Sequence, residues 1–308
     1  MNVREQLTGI TAPIVTPFTD GGVDANSGAT DDGESAVDEQ ALVALLDHLE
    51  AGGIDGVFPC GTTGEFPSLT AAERRRVIEV TAETVDVPVI AGAAATNVPD
   101  TVAAIEAAEA AGADAAAVVA PYFATATAPA GNRRVFETVL DRSPLPVLLY
   151  NIPQCVGTRI EPETVAAVAD HDRAIGIKDS SGDLAYFSRL VRETPDAFRC
   201  LQGYDALLVP ALRAGGDGGI NALSNVVPRV LRAAFEHAED PRGRELQQGA
   251  ISPLFEACTD HGFAPATKAA LAHRGVVSNA DVRPPLLPVA DRSTIGDRVD
   301  AACAALEN

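Results

Sequence analysis

Short apolar runs alternate with longer amphipathic stretches along almost the whole chain, and no other feature constrains the fold as much. The strand-like runs fall near residues 10–16, 56–60, 87–92, 115–120, 147–150, 175–178, 199–202 and 219–222. Helical periodicity fills most of the gaps: Leu42, Leu45, Leu46 and Leu49 follow the i, i+3, i+4, i+7 spacing of one buried face. Thr70 and Glu73 are spaced as the two ends of a capping box, and Pro99 and Pro162 sit where a first helical turn begins. A weak repeat, Ala51-Gly52-Gly53-Ile54-Asp55, Ala111-Gly112-Ala113-Asp114 and Ala214-Gly215-Gly216-Asp217, closes a helix just before a strand. Glycine there supplies the left-handed residue that ends a helix.

Eight βα units in about 220 residues predict an α/β fold of the (β/α)8 TIM-barrel type over residues 1–222. The remaining residues, 223–308, read as a C-terminal helical appendage. An open doubly wound sheet would carry a Gly-rich dinucleotide loop after its first strand, and here that strand runs into Thr16-Pro17-Phe18. The stretch near 19–37, rich in Asp, Gly, Ser and Thr, reads as a solvated insertion.

Composition narrows the chemistry. Apolar residues make up 46% of the chain but aromatics only 5%, so the core is aliphatic, as suits a buried parallel sheet. Few rings are left to stack on bases. The net charge of −20 repels phosphate backbones and anionic membranes, which excludes both as partners. Lysine occurs twice, at 178 and 268, and arginine supplies every other basic side chain. An acidic, lysine-poor surface fits a salt-loving archaeon, or an ordinary acidic enzyme from a GC-rich genome. Cys60, Cys155, Cys200, Cys258 and Cys303 are odd in number and far apart, which implies reduced cytoplasmic thiols. No metal-ligand spacing, signal peptide or membrane span is expected.

In such a barrel the working side chains stand at the C-terminal ends of strands. The most informative is Lys178, which follows Ala174-Ile175-Gly176-Ile177. Desolvation among apolar neighbours favours the neutral amine that attacks a ketone, although a lysine there can also snorkel to solvent. Gly61-Thr62-Thr63-Gly64 offers hydroxyls and backbone N–H groups suited to a carboxylate, or forms a plain tight turn. Tyr150 ends a very apolar strand, where its hydroxyl makes a structural hydrogen bond or shuttles a proton beside the amine. Tyr122 lies at the end of strand four and is the second tyrosine candidate.

The GTTGE loop, the YNIP segment with Gly157 seven residues after its tyrosine, and the GIKDSSGD strand end resemble the dihydrodipicolinate synthase and N-acetylneuraminate lyase family over essentially the whole chain. The resemblance implies a pyruvate-dependent class I aldolase, a carbon–carbon lyase and usually a tetramer, that works through a lysine imine without a separate cofactor. Carried over by position, Lys178 is the imine lysine and Tyr150 the general acid/base. Thr62 and Thr63 hold the pyruvate carboxylate, and Gly203 and Ile220 line the pocket through their backbone.

Two positions depart from the pattern. Family members that make dihydrodipicolinate carry an arginine where this chain has Cys155, and a second tyrosine where it has Phe123. Both departures argue against aspartate semialdehyde. The expectation is therefore retro-aldol cleavage of a 2-keto-3-deoxy sugar acid, 2-keto-3-deoxygluconate or its 6-phosphate, in an Entner–Doudoroff-type pathway of carbohydrate metabolism. The alternatives are dihydrodipicolinate synthesis, keto-acid dehydration on the same imine, or a barrel that binds pyruvate or a sugar acid without turnover.

Overall fold

The computed structural model describes residues 3–19, 35–126 and 128–306. Its eight strands are β1 (Gly9–Ala12), β2 (Gly56–Val57), β3 (Ile90–Gly92), β4 (Ala115–Val119), β5 (Val147–Asn151), β6 (Ala174–Asp179), β7 (Arg199–Gln202) and β8 (Gly218–Ile220). They form one sheet in the order β2-β1-β8-β7-β6-β5-β4-β3, with every pairing parallel. A parallel bridge from Val57 to Val89 joins the two ends of that order and closes the barrel. The open doubly wound alternative is thereby excluded.

The helices between strands form for the reasons the sequence suggests. In the helix Glu39–Ala51 the four leucines at 42, 45, 46 and 49 are fully buried, and each contributes about 1.5–3 kcal/mol of apolar burial. The Thr70–Glu73 capping box is complete at the start of the helix Ala71–Thr84. Gly53, Gly112 and Gly215 all adopt positive φ where a helix gives way to a strand. β4, β5 and β6 are buried along their whole length, the pattern of strands covered on both faces.

The region after β8 is helical, with helices Pro228–Glu236, Pro241–Leu246, Ser252–Thr259, Phe263–His273 and Ser293–Ala304. Most of the polar insertion, residues 20–34, lies outside the described residues. Its two ends meet: Phe18 bridges Val37 in antiparallel fashion, and Thr19 N donates to Ala36 O at 2.9 Å.

The segment after the helix Phe263–His273 returns to the β2 side through Arg283. Its guanidinium forks onto the Glu73 carboxylate at 2.6 and 3.0 Å and donates to Ser68 O at 2.9 Å. The hydrogen bonds from Arg283 hold the Glu73 carboxyl down at about 2. The folded value lies below the unfolded one, so this stabilisation is full above about pH 4.5 and is lost as the pH falls towards 2. Glu73→Gln is expected to cost about 1–3 kcal/mol at pH 7 in urea unfolding, with the gap to wild type narrowing below pH 4.5. A gap that did not change with pH would place the effect elsewhere.

Candidate active site

Parallel register places the two principal side chains side by side. Tyr150 on β5 and Lys178 on β6 are direct Cα partners, one residue before each strand ends. Lys178 is 4% exposed and Tyr150 5% exposed, and the ammonium nitrogen lies 4.2 Å from the centroid of the Tyr150 ring. On another side the same nitrogen is 5.0 Å from the Phe58 ring, which meets Tyr150 edge-on at 6.0 Å. Lys178 takes no part in the ion pairs of the described residues. It is a buried amine facing two aromatic rings.

The Tyr150 hydroxyl points to the β2 loop, 3.4 Å from Thr62 Oγ1. Lys178, Tyr150 and Thr62 are thus brought together from β6, β5 and the loop after β2. Thr63 is buried beside them, and Thr16 Oγ1 holds the loop by donating to Gly64 O at 2.8 Å. Ile220 ends β8, fully buried in register with Thr11. Tyr122 sits apart from this group. It lines a groove of about 510 Å³ with Phe66, Pro67 and Arg74, between the helices Ala71–Thr84 and Val98–Ala110.

Gly203, just after β7, has a steric role. A Cβ there would stand 2.7 Å from Lys178 Cε and 2.2 Å from Ser180 Oγ. The lysine passes along bare backbone to reach the tyrosine. Around it, buried polar groups fix the strand ends. Asn151 Nδ2 donates to Asp179 Oδ1 at 2.7 Å, and its Oδ1 accepts from Ile160 N at 3.0 Å. Burial raises the Asp179 carboxyl, an effect opposed by Asn151 and Ser181. Asp205 is raised by burial to about 6 while accepting from the backbone N–H groups of Leu223 and Ala222, which ties the β7 and β8 ends together.

The sequence reading missed Phe58, Asn151, Asp205 and Ser180. The signal available for Phe58 was its position one residue beyond β2. The signal for the others was a polar side chain at, or within three residues of, the C-terminal end of a strand. It also left Glu65 without a role. That residue is buried, adopts φ 55°, and pairs with Lys268 at 2.5 Å.

The dihydrodipicolinate synthetase family matches residues 6–296 of this chain. The 4-hydroxy-tetrahydrodipicolinate synthase of Syntrophus aciditrophicus is 36% identical, over 92% of this chain and 94% of its own. The chain belongs to the dihydrodipicolinate synthetase family. The synthase of that name from Methanopyrus kandleri is 35% identical over 91% of each chain. Among solved structures, the 4-hydroxy-tetrahydrodipicolinate synthase of Methylacidiphilum fumariolicum superposes with a TM-score of 0.85 at 29% identity, covering 98% of this chain and 96% of that one. Members of the dihydrodipicolinate synthetase family are class I aldolase-type lyases that use a lysine–pyruvate Schiff base without metal or cofactor, and this chain is an enzyme of that kind acting on keto acids.

These relatives overturn the expected cleavage of a 2-keto-3-deoxy sugar acid, because they carry the name of the synthase over most of both chains. Cys155 is exposed and Phe123 is 100% exposed with φ 74°, so both departures sit on the outer rim. Neither position belongs to the group formed by Lys178, Tyr150 and Thr62. Placement in an Entner–Doudoroff pathway, in carbohydrate metabolism or in a salt-loving organism likewise finds no support among the relatives. No helix among the described residues is long and apolar enough to cross a membrane.

Gly203→Ala is expected to keep the fold while displacing Lys178. Borohydride trapping of pyruvate should fall about 10²-fold, the scale of a misplacement near 1 Å. Peptide mapping of the adduct checks this: wild type should carry it on Lys178 and not on Lys268, and normal trapping by the variant would refute the steric role.

Proposed function

We propose that the enzyme condenses pyruvate with aspartate semialdehyde as a 4-hydroxy-tetrahydrodipicolinate synthase. The observation that carries this reading is the identity of about 35% to synthases over nine-tenths of each chain, and the convergence of Lys178, Tyr150 and Thr62 at one rim of the barrel supports it. The Lys178 amine adds to C2 of pyruvate, and loss of water leaves a protonated imine. Removal of a C3 proton gives the enamine, whose carbon attacks the aldehyde carbon of the second substrate. Tyr150 supplies the proton that the new alkoxide requires, and its contact with Thr62 keeps the hydroxyl aimed at the reacting carbons. The amino group of the semialdehyde then adds to C2 and expels the Lys178 amine, which closes the ring of the product and frees the enzyme. The Thr62 and Thr63 loop takes the pyruvate carboxylate, and Gly203 and Ile220 shape the wall beneath it. Tyr122 lines the outer groove and contributes to acceptor binding from there.

Residues 1–222 are the catalytic barrel in this reading, with 223–308 as helical support. The working form is a cytoplasmic homotetramer. Support for assembly comes from Phe123, a wholly exposed aromatic ring that a neighbouring subunit would shield.

Direct assay of condensation decides the reading. Product formation from pyruvate and aspartate semialdehyde should be readily measured, and its absence with pyruvate trapping intact would sink the proposal. Tyr150→Phe should retain trapping while condensation slows by about 10²–10⁴-fold. Near-normal turnover in that variant would move the acid/base role to another group.

A further inference from the structure

The second lysine of the chain is buried behind the loop that faces the first. Lys268 lies on the helix Phe263–His273, 2% exposed, with its ammonium 2.5 Å from Glu65 Oε1. It also donates to Asp281 O at 2.7 Å and lies 3.9 Å from the Phe18 ring centroid. Glu65 closes the Gly61-Thr62-Thr63-Gly64 turn. Its N–H donates to Thr62 O at 3.2 Å, and its other carboxylate oxygen accepts from Arg283 N at 3.0 Å. Its backbone is left-handed, φ 55° and ψ 35°, a conformation that a non-glycine residue keeps only when its surroundings hold it.

We propose that Lys268 is a positioning residue for pyruvate binding, acting through Glu65 to fix the two threonines that face the catalytic tyrosine. This inference rests on the reading of that loop as the pyruvate-carboxylate cradle. A buried ion pair contributes little net stability over an apolar pair of the same shape, but it fixes geometry, because neither charge can move without losing its partner. Here the fixed geometry is that of Glu65, whose N–H holds Thr62 O. Thr62 in turn meets the Tyr150 hydroxyl at 3.4 Å. Burial pulls the Lys268 ammonium down to about 8 against the pull of Glu65, so its charge is kept by this contact. The C-terminal helical region therefore reaches into the site without touching substrate.

The test is the pyruvate dependence of borohydride trapping on Lys178, with thermal unfolding followed alongside. Lys268→Met should raise the half-saturating pyruvate concentration about tenfold, the effect of losing one charge-assisted contact, while trapping at saturation stays within about threefold of wild type. Glu65→Gln keeps the shape and an acceptor oxygen, lets Lys268 go neutral, and should raise half-saturation by a smaller factor of about threefold or more. If Lys268→Met does not fold, this variant decides alone. Half-saturation within twofold of wild type in a folded variant overturns the proposal, as does a loss of saturating rate with half-saturation unchanged. A wild type that takes no pyruvate onto Lys178 overturns the reading of the site, and the positioning role with it.

Discussion

Closure of the parallel sheet is the constraint on which the rest depends. β1 is held between β2 and β8, and the Val57–Val89 bridge completes the ring. All eight strands then deliver their C-terminal ends to one rim. The pairing of Tyr150 with Lys178 is a direct product of that register, since a slip of one residue would turn each side chain to the other face. Backbone hydrogen bonds therefore set the distance between amine and phenol, and the side chains need little freedom of their own.

Burying a lysine normally costs free energy unless it is paired, and the chain buries both of its lysines in opposite ways. Lys268 is 2.5 Å from a carboxylate, which keeps its charge at the cost of reactivity. Lys178 stands outside the ion pairs of the described residues and faces aromatic rings. One arrangement suits a strut and the other suits a nucleophile.

Much of this was legible in the sequence because it follows from short-range rules. Apolar runs marked all eight strands, the Thr70–Glu73 spacing marked a helix start, and the glycines at 53, 112 and 215 marked helix ends. Strand lengths were less so: residues 58–60 continue the apolar run, yet β2 stops at Val57, and Cys60 has φ 57° as the chain turns into the Gly61-Thr62-Thr63-Gly64 loop. The pairing of Glu65 with Lys268 was not legible, since the residues are 203 positions apart and nothing local requires them to meet. Asn151 and Asp205 were hidden for the same reason: their partners come from other strands and loops.

The error over substrate has a physical origin in where selectivity resides. Lys178 and Tyr150, at the inner end of the site, are buried and constrained by strand register. Phe123 is exposed on a loop and Cys155 on the short helix Pro153–Val156, and losing one contact to a charged group costs about 1.5–3 kcal/mol. A change of that size weakens one substrate by roughly one to two decades but does not create a site for another. A new substrate would need its own donors, placed to meet its hydroxyls or phosphate; Phe123 supplies none and Cys155 only a weak thiol donor. The departures at 123 and 155 thus change exposed positions and leave the pairing of Lys178 with Tyr150 as it is.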